Sequence, residues 1–171
     1  MDIQAIEQTL IDRISLLRAT GIWVRGLPNL ASDLGLDTNT GILTIYLDKT
    51  TFESPGSLGL TVQSVLLQFV IELRLVGLRD PSGAYAAIRY ICNQLIGFTP
   101  PESEKIYLLS HEFMGEKDKL WIHQIRLVVP TRLFETPDLD PIVLLQQITL
   151  EDGYGNVVIN KDSPFYTPPT I

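Results

Sequence analysis

The sequence has one cysteine, Cys92, and this scarcity excludes two kinds of site. A single thiol cannot form a disulfide within the chain, and it cannot supply a cysteine-based zinc site. Cys92 falls beside the apolar stripe of a predicted helix, where a small buried hydrophobe is the favoured interpretation. Nothing in the cysteine content therefore requires an oxidising compartment.

Positive charge is also scarce. The chain has 13 Lys and Arg residues against 20 Asp and Glu residues, so its formal net charge is −7 and its pI is about 4.7. Domains that bind nucleic acid by neutralising phosphates are usually basic, and this composition argues against that class. An acidic wall would still allow DNA to slide through a pore without being bound.

The sequence lacks a long uninterrupted hydrophobic run. Its most apolar window, 58–78, is broken by Gln63, Gln68, Glu72 and Arg74, so no membrane-spanning segment is predicted. The first residues also lack the basic and apolar regions of a signal peptide. We therefore expect no membrane partner.

Motifs of catalysis and phosphate binding are absent as well. The chain has no G-x-S-x-G, G-x-G-x-x-G, P-loop or H-E-x-x-H pattern. Its two histidines, His111 and His123, lie on the two strands of a predicted hairpin near Glu112 and Glu116, and they need not face the same side. A small metal-dependent enzyme using this pair is an alternative, but surface or packed histidines are favoured. We predict no catalytic, cofactor-binding or metal residues.

The most strongly patterned stretch runs from Gln63 to Leu78. Alternate residues are apolar, which indicates a long strand with one buried face. That face comprises Val65, Leu67, Phe69, Ile71, Leu73 and Leu75. Burial of six such side chains stabilises the folded state by roughly 9–18 kcal/mol, before the entropy cost of folding is subtracted. The other face is mixed, with Gln68, Glu72 and Arg74 on it, as expected of a surface that becomes covered in an assembly.

Two amphipathic helices accompany this strand. Apolar residues at helical spacing predict the first over 3–19, with Asp2 as N-cap and Gly21 as the stop. The second is predicted from Asp80 as N-cap, with Pro81 in the first turn, to a stop at Gly97. Both carry apolar stripes that can pack on the buried face of the strand.

Shorter strands are predicted at 21–25, 41–47, 106–113 and 119–129, the last two forming a hairpin that Pro130 ends. Residues 50–59 are predicted to be a loop. From residue 131 the character changes to turn-rich segments, a small hairpin and the Pro-rich end S-P-F-Y-T-P-P-T-I. This pattern divides the chain into a domain at 1–132 and a C-terminal hairpin and arm at 133–171.

The order of these features resembles the tail terminator (tail completion) proteins of tailed phages, in particular the Mu-like prophage tail protein family. The resemblance covers about residues 3–132. It rests on the strand and Ser-Pro loop at 41–55, the strand at 63–78, the helix and Gly-Phe-x-Pro exit at 83–101, and the hairpin with its tryptophan at 113–127.

The resemblance implies an α+β fold with a mostly antiparallel sheet and two main helices packed on one face. It also implies a non-enzymatic virion protein, made in the host cytoplasm, whose hexameric ring terminates the tail tube and joins the tail to the neck. Implied partners are further copies of the chain, the tube protein, the sheath protein in a contractile tail, a neck or connector protein, and DNA in the lumen without specific binding. A head–tail connector or stopper ring of the neck is the alternative.

The surface that would bind neighbouring subunits or partners is predicted from three parts of the chain: the mixed face of the long strand, the 48–59 loop and the C-terminal arm. The candidate residues are Gln68, Glu72, Arg74, Phe52, Glu53, Phe165 and Tyr166.

Overall fold

The computed structural model describes residues 1–28, 41–58, 60–136, 150–151 and 157–158. The chain divides into two compact units, Met1–Glu135 and Thr136–Ile171. The second unit contributes one described strand pair, β7 (Leu150–Glu151) with β8 (Val157–Val158). The predicted division at residue 132 falls within a strand of the first unit that continues to Phe134.

The first unit is built on a six-stranded sheet, as far as the described residues go. Five strands lie in the order β1-β2-β4-β6-β5, and β3 pairs with β4 beside this path. All pairs are antiparallel except β1 with β2. The strands are β1 (Trp23–Gly26), β2 (Gly41–Phe52), β3 (Gly56–Leu58), β4 (Leu60–Leu75), β5 (Tyr107–Lys117) and β6 (Leu120–Phe134). With its two helices this is an α+β fold, and the predicted fold class is confirmed.

The strand predicted over residues 63–78 is β4, the central strand of the sheet. All six apolar residues of its predicted buried face are at most 1% exposed. They join one hydrophobic cluster with residues of both helices, including Leu10 and Ile91. The alternation in the sequence therefore identified the core correctly, and the helices cover one face of the sheet.

The N-terminal helix is shorter than its apolar stripe predicts. Helix α1 spans Ile3–Arg13, and a 3₁₀ helix follows over Ser15–Thr20. The Asp2 carboxylate accepts a hydrogen bond from the Ala5 N–H at 3.0 Å, which confirms the predicted N-cap. Gly21 ends the segment in a left-handed conformation. Leu17 is buried in the 3₁₀ helix, so the predicted apolar stripe still faces the core after the change of helix type.

The second helix starts later than predicted. Helix α2 spans Ala84–Leu95, and its N-cap is Gly83, not Asp80. Asp80 instead belongs to a tight turn in which its carbonyl accepts a hydrogen bond from the Gly83 N–H at 2.8 Å. The prediction at Asp80 was wrong because the Asp-Pro signature of a helix start also suits a turn.

Strand β2 continues to Phe52, so the predicted loop at 50–59 is in part a strand. A β-bulge lies between Leu47 and Lys49, with Asp48 as the extra residue. A bulge moves the following side chains to the opposite faces from those that simple alternation assigns. Phe52 therefore pairs with Val65 on the helix-covered side of the sheet, although its side chain is largely exposed.

The predicted hairpin is present as β5 and β6 and its pairing stops at Val128, but strand β6 itself does not end at Pro130 and continues to Phe134. Pro130 sits within β6 opposite Leu66, and its carbonyl accepts a hydrogen bond from the Glu104 N–H at 2.8 Å on the side away from β4. The Pro130 nitrogen, which carries no hydrogen, faces that same side. No residue of β5 pairs with Pro130 there, because the pairing between β5 and β6 stops at Val128. The strand therefore loses no ladder hydrogen bond and continues through the proline.

The turn between β5 and β6 is strained at Lys119. Asp118 and Lys119 both have positive φ angles, 55° and 65°, as a type I′ two-residue turn requires. We expect Lys119→Gly to raise the free energy of unfolding by about 0.5–1 kcal/mol, because glycine adopts this conformation without a steric penalty. Urea denaturation measures the change. Lys117→Gly, within the strand, is the control and should destabilise; equal effects of both variants would contradict the turn assignment.

Candidate functional site

The sheet face that α1 and α2 do not cover is called the outer face here, and it carries the candidate site. It is formed by the residues of β4 that alternate with the buried ones, together with their register partners on β1, β2, β5 and β6. Val70 and Val128 of this face are buried but lie outside the helix-covered core cluster. The outer face thus combines apolar residues with a polar network.

Glu72 is at the centre of that network. One of its carboxylate oxygens accepts a hydrogen bond from the Arg74 Nε at 2.7 Å, and the other accepts one from the Gln124 Nε2 at 3.1 Å. The Arg74 and Gln124 side chains come from β4 itself and from the facing residue of β6. Glu72 and Arg74 share a face because they are two residues apart on one strand, and Gln124 shares it because it is directly opposite Glu72 on the next strand.

Arg126 links the two strands that flank this centre. Its Nη1 lies 3.5 Å from an Asp48 carboxylate oxygen of β2, and its Nε lies 3.9 Å from a Glu112 oxygen of β5. The bulge at Asp48 allows this contact because the extra residue turns toward the outer face. The side chains are about one third to one half exposed, so each pair contributes less than about 1 kcal/mol.

The pKa of the Tyr46 hydroxyl depends on burial and on the charges of this network. The register partner of Tyr46 is Val70. Burial raises the pKa of the Tyr46 hydroxyl, and the negative charges of Glu72 and Asp48 raise this pKa further, against the opposing effect of Arg126 and Arg74. The phenol therefore stays neutral at physiological pH.

The charge of the outer face is close to balanced. Its cations are Arg25, Lys49, Arg74, Arg126 and Arg132, and its carboxylates, including the loop partner of Arg132, are Asp48, Glu72, Glu104 and Glu112. Five positive groups against four negative ones contrast with the formal net charge of −7 for the chain. The acidic excess therefore lies elsewhere in the protein.

The predicted interface residues separate into three groups. Gln68, Glu72 and Arg74 share the outer face of β4, as the alternation predicts. Phe52 and Glu53 lie near Val65 and Ser64 at the far end of β4, and Phe52 is on the helix-covered side. Seven residues of strand separate positions 65 and 72, which is about 24 Å.

The predicted residues Phe165 and Tyr166 lie outside the described residues. Asp48 belongs to the predicted 48–59 segment, whereas other members of the outer face were not predicted as site residues, namely Tyr46, Glu112, Gln124 and Arg126. Gln124 and Arg126 alternate with the apolar residues Ile125 and Leu127, and this short alternation is a signal that could have indicated them.

The free edge of the sheet at β5 is rich in exposed apolar side chains. Tyr107, Leu109, Phe113 and Met114 are each between 42% and 58% exposed. β5 pairs on one side only, with β6, and two bulges interrupt that pairing at Leu109 and Met114. Edge strands present unpaired backbone groups, and bulges limit uncontrolled pairing along them.

The two histidines share the helix-covered side of the hairpin. His111 Nε2 lies 3.0 Å from His123 Nδ1, and the rings are stacked at 5.2 Å between centroids. The sequence left open whether they face one another, and the bulge at Met114, between His111 and the turn, is what puts them on the same face. Their nitrogens point at each other as in a hydrogen bond, whereas metal ligands converge on a third point. No group of three metal-ligating side chains occurs within the described residues.

Cys92 is partly buried on α2, and burial raises the pKa of its thiol. A raised pKa keeps the thiol protonated, which suits a packing role rather than a nucleophile. In the part of the chain that the structure describes, no helix is long and apolar enough to cross a membrane.

The chain matches a known protein family. The family model described as Gp37 protein matches residues 15–152, which is more than half of the chain. The chain belongs to the Gp37 family. This is a phage-related family, so the protein is a phage protein. The match includes the strands of the outer face and the β5–β6 hairpin, and no curated protein sequence matches the chain.

Proposed function

We propose that this Gp37-family protein is a structural virion protein, without catalysis, whose copies form a hexameric ring at the end of the phage tail. The ring terminates the tube, and the sheath where the tail is contractile, and it joins the tail to the neck. The family membership supports a phage role, and the resemblance of residues 3–132 to tail terminator proteins supports the tail end as the location.

The outer face is the observation that carries this proposal. One side of the sheet packs against two helices, while the other has no helix on it among the described residues and bears a network of both charges around Glu72. Mixed charge with partly buried apolar residues is typical of a surface that binds a specific protein partner. In the proposed ring this face contacts a neighbouring subunit.

Ring closure needs a second, different surface on each subunit, because a head-to-tail interface joins unlike patches. The apolar edge at β5 supplies one candidate, since exposed Phe113 and Met114 together with unpaired backbone groups favour contact with another chain. The balanced outer face does not supply an acidic lumen wall, so the side facing DNA is formed by another part of the subunit.

Imaging of intact particles tests the location. An electron cryomicroscopy reconstruction of the phage neck should place this chain as a ring directly on the last layer of the tube, and tails assembled without it should have irregular length. A position against the portal adaptor would instead identify a connector or stopper, and the terminator assignment would be rejected.

The role of the outer face is tested by Arg74→Glu. This change places a second carboxylate beside Glu72 and removes a donor, so subunit association should weaken about tenfold or more while the monomer stays folded. Native mass spectrometry and sedimentation of the full chain measure the association. Arg89→Glu, which makes the same charge change on an exposed site of α2, is the matched control. Equal association of both variants and the unmodified protein would exclude this face as the interface.

A further inference from the structure

The His111–His123 pair combines one exposed and one buried imidazole. His123 is 2% exposed, and its Nε2 is buried without a hydrogen-bond partner among the described residues. It lies opposite Phe113 on β5 and Leu73 on β4, and the Tyr85 ring of α2 meets it edge-on at 6.3 Å. Its environment is therefore apolar and aromatic except for His111.

The geometry of the pair fixes how many protons it can hold. At 3.0 Å between nitrogens, one must donate and the other must accept, so a single proton lies between them. A first added proton can go to the exposed Nδ1 of His111 and leaves this hydrogen bond intact. A second proton, on His123 Nδ1, would set two N–H groups against each other and place a charge where water is excluded.

The electrostatics act in the same direction. Burial lowers the pKa of His123 below its ordinary value of 6.5, and the charge of His111 lowers it further. Two groups with ionisable side chains face His123: the Tyr85 hydroxyl from α2 and His111 from β5. The neighbour on β4, Leu73, and the next residue on the same face of β6, Ile125, have no ionisable group.

We propose that the His111–His123 hydrogen bond is a pH-sensitive latch that holds the edge strand β5 against β6 and opens when both imidazoles become protonated. A histidine whose folded-state pKa is lowered contributes stability that is complete above its unfolded pKa of 6.5 and is lost as the pH falls through its folded pKa. Opening releases His111 and uncovers the ring of His123, which is 2% exposed while the hydrogen bond is intact. This inference is independent of the proposed ring.

Hydrogen–deuterium exchange of the full chain at pH 7.5 and pH 5, corrected for the intrinsic pH dependence of exchange, tests the latch. Amides of Tyr107–Phe113 should open several-fold more often at pH 5 than at pH 7.5, with an upper limit of about thirtyfold, because pH 5 lies about 1.5 units below the ordinary His123 pKa of 6.5. His123→Leu removes the titrating group and should abolish the difference, whereas Asp12→Asn, an exposed change on α1, should retain it. An undiminished difference in His123→Leu would overturn the proposal.

Nitrogen-15 spectra of the imidazoles provide a second measurement on the unmodified protein, which decides the question even if His123→Leu fails to fold. The latch predicts that His123 titrates below its ordinary pKa of 6.5. Titration of His123 at or above that value would overturn it.

Discussion

Phe69→Asp should abolish cooperative folding of the first unit. Phe69 is fully buried in β4 and faces Leu47 and Leu127 on the adjacent strands. Loss of the aromatic side chain costs about 3–5 kcal/mol, and an unpaired buried carboxylate adds several more. Since small domains have a total stability of only about 5–15 kcal/mol, the variant should lack a cooperative thermal transition by circular dichroism.

Gln68→Asp is the matched control for this prediction. It introduces the same carboxylate one residue earlier in the same strand, but on the outer face, where the side chain reaches water. Its free energy of unfolding should stay within about 1 kcal/mol of the unmodified protein. A native-like melting curve from Phe69→Asp, or equal damage from both variants, would refute the assignment of the two faces.

Gly83→Val should have the next largest effect, a loss of about 3 kcal/mol in the free energy of unfolding. Gly83 caps α2 and is buried, and a Cβ there would lie 2.9 Å from the Leu78 carbonyl carbon and 3.0 Å from the Asp80 nitrogen. These are backbone atoms of the turn that precedes α2, so they cannot move aside as a flexible side chain could. Urea denaturation followed by tryptophan fluorescence measures the loss.

Ser82→Val separates this close approach from a general intolerance to valine. Ser82 adjoins Gly83 in the same turn but is exposed, so its substitution should change the free energy of unfolding by less than about 0.5 kcal/mol. If Gly83→Val were as stable as Ser82→Val, the close backbone packing at the start of α2 would be wrong.

Much of the fold can be predicted from local patterns. The six buried residues of β4 follow from alternation alone, and the Asp2 cap follows from the preference of short polar side chains for helix starts. These predictions succeed because strand and helix periodicity fix which side chains share a face, whatever the element packs against.

The candidate site could be predicted only in part. The outward direction of Gln68, Glu72 and Arg74 follows from the same alternation, but the partners of Glu72 and the contacts of Arg126 come from residues that are distant in the sequence. Which residues of β2, β5 and β6 face these side chains depends on strand order and register, and neither quantity is encoded in a local period.

The sequence pattern by itself determined the buried face of the central strand and the polar direction of its other face, and the resemblance to a phage family implied the α+β class. Only the tertiary structure decided the points at which that alternation breaks. The bulge at Asp48 turns Phe52 to the helix-covered side, and the bulge at Met114 brings His111 to the face of His123. The pairing with β5 stops at Val128, so Pro130 can lie inside strand β6. The physical reason is that an extra residue in a strand reverses every side chain after it, and its position is set by pairing between distant strands.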